Sequence, residues 1–225
     1  MVRRAATEAL GAAFLLMAIV GSGIMAERLA GGNVAFALLA NSLATGAALV
    51  ALILALGPIS GAHFNPVVTL AEAMRGGMAW SEVPGYVAAQ ILGAFAGVAS
   101  AHLMFGMPLF FASHHARSGS GLLFSEFIAT FGLLAVISGC ARVRSSAVSF
   151  AVGAYITAAY WFTSSTSFAN PAVTLARAAS DTFAGIRPTD APAFIVAQFA
   201  GALAAALCFR WLAPVQLSPA GKGEA

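Results

Sequence analysis

Long apolar runs broken by short polar interruptions dominate the chain. Six of them, roughly residues 5–25, 33–57, 84–105, 121–141, 146–162 and 191–212, approach the length of about 20 mostly apolar residues that a helix needs to cross a bilayer. Two further apolar segments, Asn65 to about Met74 and Asn170 to about Ala179, are too short to cross. Each follows a stretch of small and polar residues, "GPISGAHF" and "TSSTSFA", and each starts Asn-Pro. Asn is a preferred helix N-cap and Pro a preferred first helical residue. The pattern therefore predicts an all-α membrane protein with six transmembrane helices and two re-entrant loops, each loop leading into a half-helix.

Composition agrees and narrows the class. The chain has 225 residues, 60% of them hydrophobic and only 8% charged, far from the quarter or so charged in soluble domains. The net charge of +3 forms no stripe that would bind nucleic acid. Cys140 and Cys208 lie in apolar surroundings without metal-ligand spacing and read as packing residues. "MVRR" ahead of an apolar run resembles a secretory leader. Glu8 interrupts that run, however, and the segment recurs later, so it is kept as a membrane helix. An even number of crossings puts both termini on one side. Arg3, Arg4, Arg75, Arg142, Arg144, Arg210 and Lys222 then share a face, against Arg28, Arg117, Arg177 and Arg187 on the other. The larger group predicts cytoplasmic termini.

The chain repeats itself. "NPVVTLAEA" at Asn65 returns as "NPAVTLARA" at Asn170, and "EALGAAFLLMAIVG" at Glu8 as "EFIATFGLLAVISG" at Glu126. The surroundings of Gly46 resemble those of Gly153, and those of Gln90 resemble those of Gln198. Each half contributes an odd number of crossings, so the second must enter the membrane inverted. We expect one domain over residues 1–225, with halves at about 5–105 and 121–212 and a C-terminal tail at 213–225. Two half-helices entering from opposite faces would meet near midplane and present electropositive N-termini there. Irregular backbone is tolerated at that depth only where protein or water satisfies it.

With these motifs, "SGAHFNPVVT" and the Glu and Gln helices in hand, the chain resembles the major intrinsic protein family, the aquaporins and aquaglyceroporins, over nearly its whole length. The resemblance implies a homotetramer with one water-filled pore per subunit, in a bacterial plasma membrane. Asn65 and Asn170 would donate to passing solute at a waist that also contains Pro66, Val67, Pro171 and Ala172. Val67 departs from the usual Ala. No cofactor or metal is implied, and no nucleophile–base pair suggests an enzyme.

A second departure concerns selectivity. Family members usually carry Arg after the second motif, where this chain has Val173. Counting from the two Asn residues maps the rest of the constriction onto Thr45, Ala158 and Ser167, giving a wide, uncharged filter. Such a filter fits water and glycerol, and the resemblance to family members that lack this Arg implies neutral metalloid acids, chiefly arsenite. The alternatives are a water, urea or ammonia channel and an ion-coupled secondary transporter. Arg177, one turn beyond Val173, and His63, two residues before Asn65, are candidates for the pore mouths. Glu8 and Glu126 are expected to hold the loops. His114, His115 and Arg117 are expected in solvent, Gly93 and Gly97 at a close helix contact, and Trp80, Trp161 and Trp211 at the membrane interfaces.

Overall fold

The structure is a computed structural model that describes residues 1–212; the expected tail 213–225, with Lys222, lies outside the described residues. Helices α1 (Val2–Leu29), α2 (Val34–Ser60), α4 (Val83–Met104), α5 (Ser120–Val143), α6 (Val148–Phe162) and α8 (Ala191–Leu212) surround two short ones, α3 (Pro66–Met74) and α7 (Pro171–Arg177). All except α6 are, among the surrounding helices, long and apolar enough to cross a membrane. Helix α6 has 15 residues, about 22 Å at 1.5 Å per residue. It is entered through a 3-10 turn, Ser145–Ala147, and returns antiparallel to α5, with Ser164 Oγ 2.9 Å from Ser125 Oγ. That return makes it the sixth crossing. Helix α2 runs past Pro58 to Ser60, beyond the sequence boundary at 57, and stops at Gly61, whose φ of 91° favours glycine.

The charged ends sort onto two faces as the loop pattern requires. Arg4 pairs with Glu82 and Arg75 donates to Ser138 Oγ at one end. Arg28 donates to the Phe105 carbonyl and Arg117 to that of Gly185 at the other.

Close glycine contacts let the two halves repeat the same packing. A Cβ on Gly93 of α4 would overlap the Ala9 carbonyl oxygen of α1, and one on Gly201 of α8 would overlap that of Phe127 on α5. Where α2 crosses α6, Gly46 and Gly153 face each other's carbonyls. Shape, rather than hydrophobicity, decides such contacts in a lipid surround. Gly201→Val is expected to lower the thermal midpoint of the detergent-solubilised protein by an amount equivalent to about 1–3 kcal/mol. A melt of purified variant against wild type checks this.

Candidate functional site

The paired motifs meet at the centre. Asn65 caps α3 by accepting from the Val67 N–H at 3.1 Å, and Asn170 caps α7 by accepting from those of Ala172 (3.0 Å) and Val173 (3.3 Å). Their amides reach across to the opposite loop. Asn65 Nδ2 donates to the Ala169 carbonyl and Asn170 Nδ2 to the Phe64 carbonyl, both at 2.8 Å. Each Asn thus accepts within its own half and donates to the other. An amide nitrogen carries two hydrogens, so one on each remains for another acceptor.

The loops ahead of the caps are bent. Ala62, Phe64, Thr166, Ser167 and Ala169 all have φ between 47° and 62°, a region costly for residues with a Cβ. Two buried carboxylates hold them there. Glu8 accepts from Ser60 Oγ (2.7 Å), from the backbone N–H groups of His63 (3.0 Å) and Phe64 (2.7 Å), and from Gln90 Nε2 (2.8 Å). Glu126 accepts from the N–H groups of Phe168 and Ala169, both 2.9 Å, and from Gln198 Nε2 at 2.6 Å. Each Gln also donates to a half-helix threonine, Thr69 or Thr174, at 2.9 Å. Glu8 accepts four hydrogen bonds and Glu126 three, which is how buried carboxylates are tolerated.

A cavity of about 250 Å³ runs past both asparagines, from Glu72, Arg75 and Ala141 at one end to Thr45, Tyr160, Ser167, Val173 and Arg177 at the other. His63 lines it, with Nδ1 3.0 Å from Thr69 Oγ1. That hydroxyl donates to the Asn65 carbonyl (3.2 Å), so Nδ1 carries the imidazole proton. Pro66, Val67, Pro171 and Ala172 are buried behind the wall, and Val67 is wholly enclosed in the core.

Ala158 does not reach the cavity; it is exposed on the outer surface of α6. The inward stripe of that helix is Val148, Val152, Ile156 and Tyr160, spaced four apart. Counting back from Asn170 crosses a loop of unconstrained length, so the register drifted by two positions. Tyr160 takes the place expected for Ala158 and lies 3.2 Å from Thr45 Oγ1. The expected wide, uncharged ring is thus narrowed by a phenol and ends at a guanidinium. The spacing of four along α6 was the available signal.

Arg117 is the second correction. The loop between α4 and α5 folds inward, leaving Arg117 only 8% exposed instead of in solvent. Its Nε donates to the Gly185 carbonyl (2.8 Å), Nη1 to that of Ser165 (3.2 Å), and its backbone N–H to Asp190 (2.8 Å). Burial lowers its pKa to about 10, which leaves it charged at neutral pH. His114 remains exposed and pairs with Asp181 at 2.9 Å, which holds that carboxyl below its usual range. Sequence reasoning also passed over His102, whose ring bridges the Leu109 carbonyl and Ser180 Oγ at 2.8 Å each. Trp80, Trp161 and Trp211 are all exposed. Among the described residues no cluster of His, Cys, Asp and Glu could hold a metal.

Comparison with known proteins fits this geometry. The model of the family described as "Major intrinsic protein" matches residues 1–147 and 138–223. The aquaglyceroporin AqpS of Rhizobium meliloti (strain 1021) is 52% identical, over 94% of this chain and 91% of that protein. Aquaporin NIP1-3 of Oryza sativa subsp. japonica is 38% identical over 66% of this chain and 53% of its own length. The X-ray structure of the aquaglyceroporin from Plasmodium falciparum superposes with a TM-score of 0.71 at 24% identity, over 92% of this chain and 95% of that one.

Proposed function

The chain belongs to the major intrinsic protein family and is a passive membrane channel, not an enzyme, and from that premise we propose which groups select its solutes and what those solutes are. The passage runs along the cavity between α3 and α7. Asn65 and Asn170 offer hydrogen bonds to a solute at the waist, and Thr45, Tyr160, Ser167 and Val173 form the tighter ring beyond it. The observation carrying this reading is the reciprocal pair of asparagine ties at 2.8 Å beside a continuous cavity. Donors on one side and apolar residues such as Leu49, Val152 and Ile156 on the other suit compact neutral solutes with several hydroxyls. We assign water, glycerol and trivalent metalloid acids such as arsenite to it, with urea as the competing solute.

The reading treats residues 1–225 as one channel domain of two inverted halves, about 5–105 and 121–212. It puts the termini on the cytoplasmic side of a bacterial plasma membrane, because the larger arginine group shares their face. A homotetramer is part of it through the family resemblance; the apolar outer faces bearing Leu43, Leu54 and Phe150 suit lipid and a neighbouring subunit alike. An ion-coupled transporter is disfavoured, since both intramembrane carboxylates are engaged by backbone N–H groups of the re-entrant loops.

Stopped-flow light scattering of proteoliposomes under water, glycerol, urea and arsenite gradients tests the assignment. Fast entry with no dependence on an imposed proton gradient is expected. Val173→Arg should slow glycerol relative to water by roughly tenfold or more, the low end of what one added side chain contributes to discrimination. Equal ratios in both forms would remove Val173 from the ring.

A further inference from the structure

Val173 brings no polar atom to the ring, yet the ring is not without charge. Arg177, one turn further along α7, is 2% exposed and lines the same cavity as Thr45, Tyr160, Ser167 and Val173. Two contacts fix its guanidinium. Nε donates to the Ala184 carbonyl, and Cζ lies 3.4 Å above the Phe168 ring. Nη1 has no protein partner, and Ser167 Oγ, also buried, has none either. Two orphaned polar atoms in one cavity wall are costly unless something that visits the cavity meets them.

The surrounding charges favour the same conclusion. Arg117 sits 5.0 Å from the Phe168 ring, so the ring contacts both guanidinium groups. The nearby acid on the supporting helix, Glu126, is already taken by two backbone N–H groups and Gln198. Asp190 is tied to the Arg117 backbone N–H and paired with Arg187. Among the described residues no carboxylate forms an ion pair with either guanidinium, so the outer end of the passage keeps a positive potential. Field there attracts acceptor oxygens and opposes cations.

We propose that Arg177 and Ser167 form the solute-recognition site of the constriction, with Arg177 supplying from position 177 the fixed cation that position 173 lacks. The ligand class is a neutral solute bearing acceptor oxygens, a polyol or an undissociated oxyacid. Arg177 Nη1 donates to one oxygen while Ser167 Oγ donates to, or accepts from, another. Ammonium-type cations are refused at the same point. This rests on the channel reading above and deepens it.

The test uses full-length protein in liposomes, with glycerol and water fluxes by light scattering and methylammonium entry by an internal pH dye. Arg177→Met is expected to raise methylammonium entry, normalised to water flux, by at least roughly tenfold, as removal of one nearby charge in a partly desolvated site implies. Ser167→Ala is expected to lower the glycerol-to-water ratio by about threefold or more, a fraction of a neutral hydrogen bond. Arg187→Met, outside the cavity, serves as the control and keeps wild-type ratios. Wild type passing no solute would sink the channel reading itself. Wild-type flux with an unchanged cation ratio in Arg177→Met, or an unchanged glycerol ratio in Ser167→Ala, would overturn this proposal. Should Arg177→Met fail to fold, Arg177→Lys replaces it: it keeps the charge but not the planar fork, so cation refusal should persist while the glycerol ratio falls about threefold. An unchanged ratio in that variant overturns the proposal too.

Discussion

Replacing Glu126 with Ala is expected to abolish solute flux and to destabilise the protein by on the order of 4 kcal/mol or more. The carboxylate accepts from the N–H groups of Phe168 and Ala169 and from Gln198. Hydrogen bonds to a charged group contribute about 1.5–3 kcal/mol each, and the stranded buried donors add their own desolvation cost. Ala169, whose φ is 47°, has no other restraint of this strength against relaxing out of the left-handed region. Because Ala169 also offers its carbonyl to Asn65, the disturbance passes directly to the waist. Glu126→Gln separates charge from shape. Its amide nitrogen cannot accept, so it would face donor to donor either the Phe168 N–H, in the place of Oε1, or the Ala169 N–H and Gln198 together, in the place of Oε2, and it should lose a large part of the same stability. Thermal melts in detergent and water flux in liposomes measure both variants; a wild-type midpoint and flux in Glu126→Gln would refute the account.

The second large effect is expected at Asn170. Asn170→Ala removes the cap on Ala172 and Val173 and strands the Phe64 carbonyl. Loss of the cap costs about 0.5–2 kcal/mol and the unpaired buried carbonyl about 1–3 kcal/mol, so a loss of roughly 2–4 kcal/mol should appear in the melt. It also deletes a waist donor, and one hydrogen bond of about 1.4 kcal/mol missing at the barrier corresponds to about tenfold in rate. Asn170→Asp keeps the cap acceptor, loses the tie and places a carboxylate against a carbonyl. It should leak cations where Asn170→Ala is merely slow, and Asn65→Asp should do the same from the other side. Different outcomes for the two aspartates would show that the halves are not functionally equivalent.

Much of this arrangement was legible in the sequence because the signals were local or duplicated. Asn-Pro writes a cap and a first turn into adjacent residues, and the repeat of Glu8 as Glu126 and Gln90 as Gln198 marked a shared structural duty without any coordinates. Gly93 and Gly97 are visible as a local small-residue spacing. The parts that were not legible depend on distance through space. Tyr160 replaced Ala158 because the length of the loop between α6 and α7 cannot be counted from its ends. The burial of Arg117 has no signal in the sequence, because nothing near it there reveals that the Ser165 and Gly185 carbonyls lie within reach. The inward turn of Arg177 depends likewise on Ala184 and the Phe168 ring. Helix α6 is legible from its apolar run at 146–162, although the helix itself is only 15 residues long and its antiparallel return against α5 is what completes the crossing.

The exchange of ties between Asn65 and Asn170 also constrains how the polypeptide is made. When a ribosome has delivered α1 to α4, the Phe64 carbonyl has no donor and the Asn65 amide no acceptor, because both partners are still to be translated. The early half must therefore wait in the bilayer with the Glu8 ties to its turn available but the cross-tie at the waist unmade. The waist is thus closed only once α7 has been made and docked, in whatever order the outer helices pack.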